Sequence, residues 1–490
     1  MSMKKQTAKL DPIPKGIMNV AWILVLGAIM PLLDSTMVNI AINHLTQDFG
    51  IGLDSVQWAI TGYVLAMAIA VPLAGWAALR FNGKWLMIGA NGVFLATSIG
   101  AGLSGNIQVL ILFRIVQGLS AGFIMTLLTT LVVQIAGSER MGRMMSTVGI
   151  PMVLGPILGP VIGALIVQFY SWRYIFLINI PIGLIAIASM VLKLPNFTPV
   201  NPKAKSDFTG ILLLGGSSAA LIYGISQAAK NAGLTNGTTV GYVIAGIVIL
   251  LIYVIYAAFK KKQAILPLSL FKSKSFSAVM AGLFLSGIST NGPMLLLPLF
   301  FQNVKGFSIL SVGLILLPQG IGMLIARPAI GKLTDRWGAR YVVLASLALA
   351  VAGTVPFLFF NEGSSLILIG VALFIRGTGI GGIAIPLMTD GYTGMVKEEI
   401  AQASVGTRLM QNIGGAFGSA VVATAVSYSL QGQPHTIPLM TTAYQDGFML
   451  TLILSVVMLL PALFLTNKQS AAASRTQPDS GGIGELKESS

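Results

Sequence analysis

Two charges set inside apolar runs mark where this sequence can do chemistry. Asp34 lies in the run 16–42 and Arg114 in the run 108–136, and no other carboxylate is placed well inside such a run. A charge at the centre of a bilayer costs at least about 2.5–3.5 kcal/mol on insertion scales, so an ionisable group there is a functional candidate by default. A carboxylate of this kind can take up a proton in one conformation and release it in another. Arg114 is its natural partner. With a rise of about 1.5 Å per helical residue, the two sit at depths that agree within a few Å. The plainer reading of the pair is a static buried ion pair, which adds little net stability. Arg376, in the run 364–388, is a third such charge. It is placed either on a cavity wall or against neighbouring carbonyl groups.

The stretch 145–163 reads MSTVGIPMVLGPILGPVIG. Gly155, Gly159 and Gly163 recur every four residues, following Gly149, and Pro151, Pro156 and Pro160 interrupt the hydrogen-bonding pattern. In water such a helix would be poor, since Gly and Pro cost about 1 and 3 kcal/mol per position. In lipid, neighbouring helices re-satisfy the freed backbone, and small residues four apart let a second helix approach closely. Two readings follow, one tightly packed helix or a bendable helix at a sliding interface.

Composition defines the medium. The 490 residues are 55% hydrophobic and 9% charged, with mean hydropathy +0.84. Soluble domains carry about 25% charged residues, so this is a polytopic membrane protein. There are no cysteines and two histidines, His44 and His435. That excludes disulfides, a cysteine nucleophile and an ordinary zinc site.

A membrane helix needs about 20 mostly apolar residues. Fourteen runs qualify: 17–42, 55–79, 84–104, 108–136, 143–168, 174–193, 208–228, 238–259, 276–302, 308–330, 340–360, 364–388, 402–428 and 444–466. With the N-terminus cytoplasmic, 25 of the 30 basic residues fall in tails and loops on that side, Arg327 and Arg408 counted among them. Only Arg173, Lys230 and Lys305 fall outside. This positive-inside bias accounts for the net charge of +15 without a nucleic-acid partner. The lipid bilayer is the expected partner surface.

The chain repeats itself. PLAGWAALRFN at 72–82 returns as PAIGKLTDRWG at 328–338, 256 residues later. Gly75 and Arg80 thereby correspond to Gly331 and Arg336. Two six-helix halves, 16–195 and 263–466, are expected, with two extra helices in a linker 196–262. A cytoplasmic tail 1–15 and a disordered cytoplasmic tail 467–490 complete the chain. Paired halves around a site near the midplane are a transporter architecture.

With these residues in view, the chain resembles the major facilitator superfamily, and most closely the fourteen-helix drug/proton antiporters of the EmrB/QacA type. The resemblance covers everything but the two tails. LDSTMVNIA at 33–41 is similar to that family's first-helix signature. The repeat at 72–82 resembles the superfamily's basic loop motif, and LFRIVQG at 112–118 its span-4 motif. The stretch 149–163 resembles the antiporter motif of span 5, and SWRYIFLINIPIG at 171–183 is typical of the fourteen-helix branch. The first loop copy has Leu79 where the superfamily usually has Asp and Asn82 where it has Gly; the second keeps Asp335 and Arg336.

The resemblance implies an all-α major facilitator fold with both termini cytoplasmic, in a bacterial plasma membrane. It implies a proton-coupled exporter of lipophilic drugs, with no enzyme activity and no cofactor beyond the proton gradient. Asp34 and Arg114 would couple protons. The glycines and prolines of 149–163, with Gly75, Arg80, Gly331, Asp335 and Arg336, would serve conformational change. The polar and soft side chains inside spans form the pool for substrate contact: Met30, Met37, Tyr63, Met67, Asn291, Met294, Phe301, Gln319, Arg376, Gln411 and Asn412. Aligning Gly377 with Gly118 sets Arg376 opposite Gln117 rather than Arg114. The absence of a G-x-x-x-x-G-K-[ST] loop argues against an ATP-driven pump. A symporter or facilitator for one metabolite, and a sensor or assembly subunit that transports nothing, remain as alternatives. Substrate charge, proton stoichiometry and any protein partner are left open.

Overall fold

The computed structural model describes residues 13–136, 141–203, 207–230, 236–430 and 436–467. His435 and nearly all of both predicted tails lie outside the described residues. Every regular element among the described residues is helical. In chain order the helices are α1 (Lys15–Phe49), α2 (Leu53–Arg80), α3 (Gly83–Gly102), α4 (Ile107–Ala136) and α5 (Met141–Phe169). There follow α6 (Tyr174–Lys193), α7 (Phe208–Lys230), α8 (Gly237–Lys260), α9 (Lys274–Asn303) and α10 (Ile309–Trp337). The last four are α11 (Ala339–Leu358), α12 (Leu366–Gly391), α13 (Lys397–Leu430) and α14 (Ile437–Ala462). Thirteen contain a window long and apolar enough to cross a membrane. The fifth expected run falls on α5, where several side chains lie outside the described residues.

The helices pair as two pseudo-equivalent halves. In the first half α2 packs on α4 and α1 on α5; in the second α10 packs on α12 and α9 on α13. The halves meet where α5 packs on α10 and where α13 packs on α2 and α4. Helix α7 lies against both α2 and α13, so the insertion flanks one side of that seam. Its partner α8 is mostly exposed, with 17% of its apolar window buried, as a lipid-facing helix requires.

The two repeat copies do the same job. A Cβ on Gly75 would strike Val405 of α13, and one on Gly331 would meet Ser146 and the Gly142 carbonyl of α5 at 2.8 and 2.9 Å. Each glycine thus brings its helix against the opposite half, at the end of the bundle that carries the basic loops. Gly118 and Gly377 are also equivalent. Each presses on backbone of the neighbouring helix, at Tyr63 and at Gln319.

Asp335 fixes the α5–α10 contact. It accepts hydrogen bonds from the Gly142 and Arg143 amides (2.8 and 3.3 Å) and from Arg143 Nε (2.8 Å). These are N-terminal amides of α5, where a carboxylate is favoured. Leu79 leaves the first half without this latch, and Arg80 and Arg336 are exposed. Hydrogen bonds to charged groups contribute about 1.5–3 kcal/mol. Asp335→Asn should therefore loosen the basic end by about tenfold or more in equilibrium. The reporter is Ser404→Cys, at a buried site bonded across the seam to Thr130 (2.9 Å). Its maleimide labelling rate should rise accordingly.

Two placements differ from the sequence reading. Arg327 and Arg408, counted with the loops, are buried inside α10 and α13; Arg327 falls in the last turn of its run and Arg408 nearly two turns into its own, where apolar neighbours hide a charge. Another enclosed carboxylate stands at a helix end. Asp390 is buried near the end of α12, where it accepts bonds from Ser275 and from the Thr466 hydroxyl.

Candidate functional site

Asp34 and Arg114 meet as an ion pair between α1 and α4, with 0% and 1% of their side chains exposed. Arg114 has further partners. Nη1 donates to Gln117 Oε1 (2.7 Å) and Nε to the Ala59 carbonyl (3.0 Å). Its guanidinium also lies 4.1 Å from the Tyr63 ring centre. Gln117 donates to Ser98 (2.7 Å), which also accepts from Asn179 (3.3 Å). One buried polar network thus joins α1, α3, α4 and α6, as buried charges require. Gln117, Ser98 and Asn179 were not among the expected site residues. Gln117 lies one helical turn past Arg114, the i, i+3 spacing that places two side chains side by side.

The glycine stripe of α5 rests on the turn of α1 that carries Asp34. A Cβ at Gly155 would meet Leu32 at 3.0 Å, one at Gly159 would overlap the Thr36 hydroxyl, and one at Gly163 would meet Met37 backbone at 3.2 Å. Thr36 also donates to the Gly155 carbonyl (3.3 Å). The stripe therefore packs within the first half. Only Gly149 faces the other half, against the Arg327 guanidinium. Pro156 and Pro160 belong to the α5 backbone, and their side chains lie outside the described residues.

Between the halves lies a cavity of about 660 Å³. Its walls come from α1, α2, α4 and α5 and from their counterparts α9, α10, α12 and α13, with Ile222 added by α7. Of the residues pooled for substrate contact, Met67, Asn291, Gln411 and Asn412 line it. So do Asn39, Ser286, Met323, Arg327 and Arg408, which the sequence reading did not place there.

The other predicted contacts go elsewhere. Tyr63 is buried against Arg114 and donates to the Pro31 carbonyl (3.4 Å). Met30 packs on Gly183 of α6, and Met37 lies under Gly163. Phe301 belongs to an apolar cluster with Phe300, Phe357 and Phe448. Met294 is exposed and outside the cavity lining. Arg376 donates to Gln319 (2.7 Å) and to the Ser289 carbonyl (3.2 Å), behind the cavity wall. The reason is common to all. A residue inside a span faces a cavity, a neighbour or lipid according to helix rotation, which composition does not fix.

At the end opposite the basic loops, Asp48 accepts from Trp172 Nε1 and Arg173 Nη1, both at 2.9 Å. The Trp172 bond, with Arg173 assisting, holds its carboxyl below the usual range. Asp48 lies beyond the candidate span, which ends at Ile42. A depressed folded value means the contact is present above the ordinary value of about 3.9 and is lost as pH falls below it. The acid-induced change in tryptophan fluorescence should therefore lose one component in Asp48→Asn.

Residues 24–419 match the family model of the Major Facilitator Superfamily. A multidrug resistance protein B homolog from Mycobacterium tuberculosis (strain ATCC 25618 / H37Rv) is 30% identical over 420 residues, 85% of this chain and 78% of that protein. The putative multidrug resistance protein MdtD of Escherichia coli (strain K12 / DH10B) is 31% identical over 325 residues, 66% of this chain and 68% of that one. The crystal structure of the human organic anion transporter MFSD10 (TETRAN) is similar with a TM-score of 0.63 at 16% identity, covering 90% of this chain and all of that one, a likeness of fold. The equivalent helix sets around one central cavity and the family match over most of the length agree: the chain belongs to the Major Facilitator Superfamily and is a multi-pass membrane transporter.

Proposed function

We propose that this transporter exports hydrophobic drugs across the plasma membrane in exchange for protons. The observation that carries the reading is Asp34, a fully enclosed carboxylate inside a membrane span whose partner Arg114 holds two other acceptors. Protonation turns the pair into a neutral acid beside a cation. Arg114 then keeps Gln117 Oε1 and the Ala59 carbonyl, so the proton can be taken up without stranding a buried guanidinium. The same turn of α1 supports the α5 glycine stripe. A change of charge at Asp34 therefore acts where two helices are held closest. The relatives named as multidrug resistance proteins support the drug class.

The cycle follows from these contacts. With the basic end cytoplasmic and latched by Asp335, drug leaves to the outside and a proton reaches Asp34. The neutral pair favours rocking of the halves. In the inward state Arg114 draws the proton off, and drug binds in the cavity.

The test is reconstitution in proteoliposomes with an internal pH dye, an imposed proton gradient and a panel of lipophilic drugs. Drug addition is expected to trigger proton movement opposite to drug movement. Movement in the same direction would make the protein a symporter, and no movement with any drug would overturn the reading.

A further inference from the structure

The cavity holds two positive charges and no negative one. Arg327 and Arg408 line it, and none of its lining residues is Asp or Glu. Arg327 is 7% exposed, yet donates no side-chain hydrogen bond to any described residue, and its Nε is enclosed without an acceptor. Arg408, 8% exposed, donates to the Met125 carbonyl (3.1 Å), Thr129 (2.9 Å) and Gln411 (3.4 Å), all neutral; its Nε is likewise unpaired. The enclosed carboxylates elsewhere among the described residues are engaged, Asp34 with Arg114, Asp335 with Arg143, Asp390 with Ser275 and Thr466, and Asp207 with Tyr256.

A buried lysine can relieve such a position by giving up its proton. Arginine cannot do so in a protein. A guanidinium kept out of water without a counter-charge is costly, and here two face one space. Its fork of N–H donors matches a carboxylate or sulfonate oxygen pair. The same cavity is lined by neutral donors and acceptors, Asn39, Asn291, Gln411 and Asn412, and by apolar surface from Met67 and Met323. Met and aliphatic walls accommodate varied hydrophobic bodies. The arrangement offers an anion anchor beside an adaptable apolar wall.

We infer that the cavity takes an amphiphile bearing an anionic carboxylate or sulfonate group, which seats on Arg327 and Arg408 while its apolar body lies against the methionines. The inference deepens the exporter reading and rests on it for the direction of movement, though binding can be read without transport. A lipophilic cation in the same place would meet two like charges and no acid. Arg408 bridges to α4 and Arg327 lies against Gly149 of α5, so both anchors stand at the seam between the halves.

The chain has no cysteine, so Ser286→Cys places a single thiol in the cavity lining. Maleimide labelling of this variant, purified and reconstituted, is followed with increasing carboxyfluorescein or rhodamine 123, an anionic and a cationic dye on one xanthene body. The anion is expected to slow labelling and the cation is not. Adding Arg327→Gln should weaken the anion's protection by about tenfold or more, the scale of one lost charge-assisted bond, and Arg327→Lys should restore part of it. Labelling of the Ser404→Cys reporter reads whether Arg327→Gln opens the seam, so a purely structural effect is recognised. Protection by the cation alone, by neither dye, or equally in the Arg327→Gln background overturns the anion site. Protection by the anion without dye-driven proton movement upholds the site and overturns antiport instead.

Discussion

Asp34→Asn is expected to abolish substrate-triggered proton movement, a loss of at least about a hundredfold, because no other carboxylate stands in the α1–α4 network among the described residues. The substitution keeps size and leaves an amide oxygen to accept from Arg114. The Gln117 and Ala59 contacts of Arg114 are untouched. Folding should therefore survive, as read by yield and by a monodisperse profile in detergent. Removing one partner of a buried pair commonly costs about 3–5 kcal/mol; here the remaining acceptors offset part of that cost. The measurement is the pH-dye assay run on wild type and variant side by side. Equal proton movement in both would place coupling elsewhere. Arg114→Gln gives the complementary case. It leaves Asp34 enclosed without its cation, and substrate-triggered proton movement should be lost there too.

Gly159→Leu should be the most damaging change outside the ionisable network. A single Cβ there already overlaps the Thr36 hydroxyl, so a branched side chain must push α5 from α1. Overpacking of this kind costs about 1–3 kcal/mol or more. The displaced segment of α1 carries Asp34 two residues before Thr36, so the ion pair to Arg114 is disturbed as well. Transport should fall at least about tenfold at normal expression. Gly92→Leu is the control, since nothing lies within 4 Å of a Cβ at that position, and it should transport normally. Normal transport by Gly159→Leu would show that the close contact is not needed.

The effects of Asp34 and Gly159 converge on one turn of α1, and that convergence was not legible in the sequence. The sequence showed each separately: a carboxylate in an apolar run and glycines spaced four apart. Both signals are local, because the cost of a charge in lipid and the 3.6-residue period act along one helix. The same holds for the helix positions, the repeat at 72–82 and 328–338, and the departure at Leu79. The repeat set Gly75 and Gly331 in correspondence, and in the structure each lies against the opposite half.

What the sequence by itself determined is therefore the medium, the helices, their pseudo-repeat and the family. The tertiary structure decided which residues meet. Asp34 and Arg114 are 80 residues apart in sequence, and only the packing of α1 on α4 joins them. The packing also turned the glycine stripe toward α1 rather than across the seam, and removed Met30, Met37, Phe301 and Met294 from the cavity. It drew Arg327 and Arg408 in from the apparent loops. The physical reason is that lipid supplies no burial gradient around a membrane helix. Apolar residues cover every side, so rotation is set by close packing and polar contacts between helices, and those exist only once the helices have assembled.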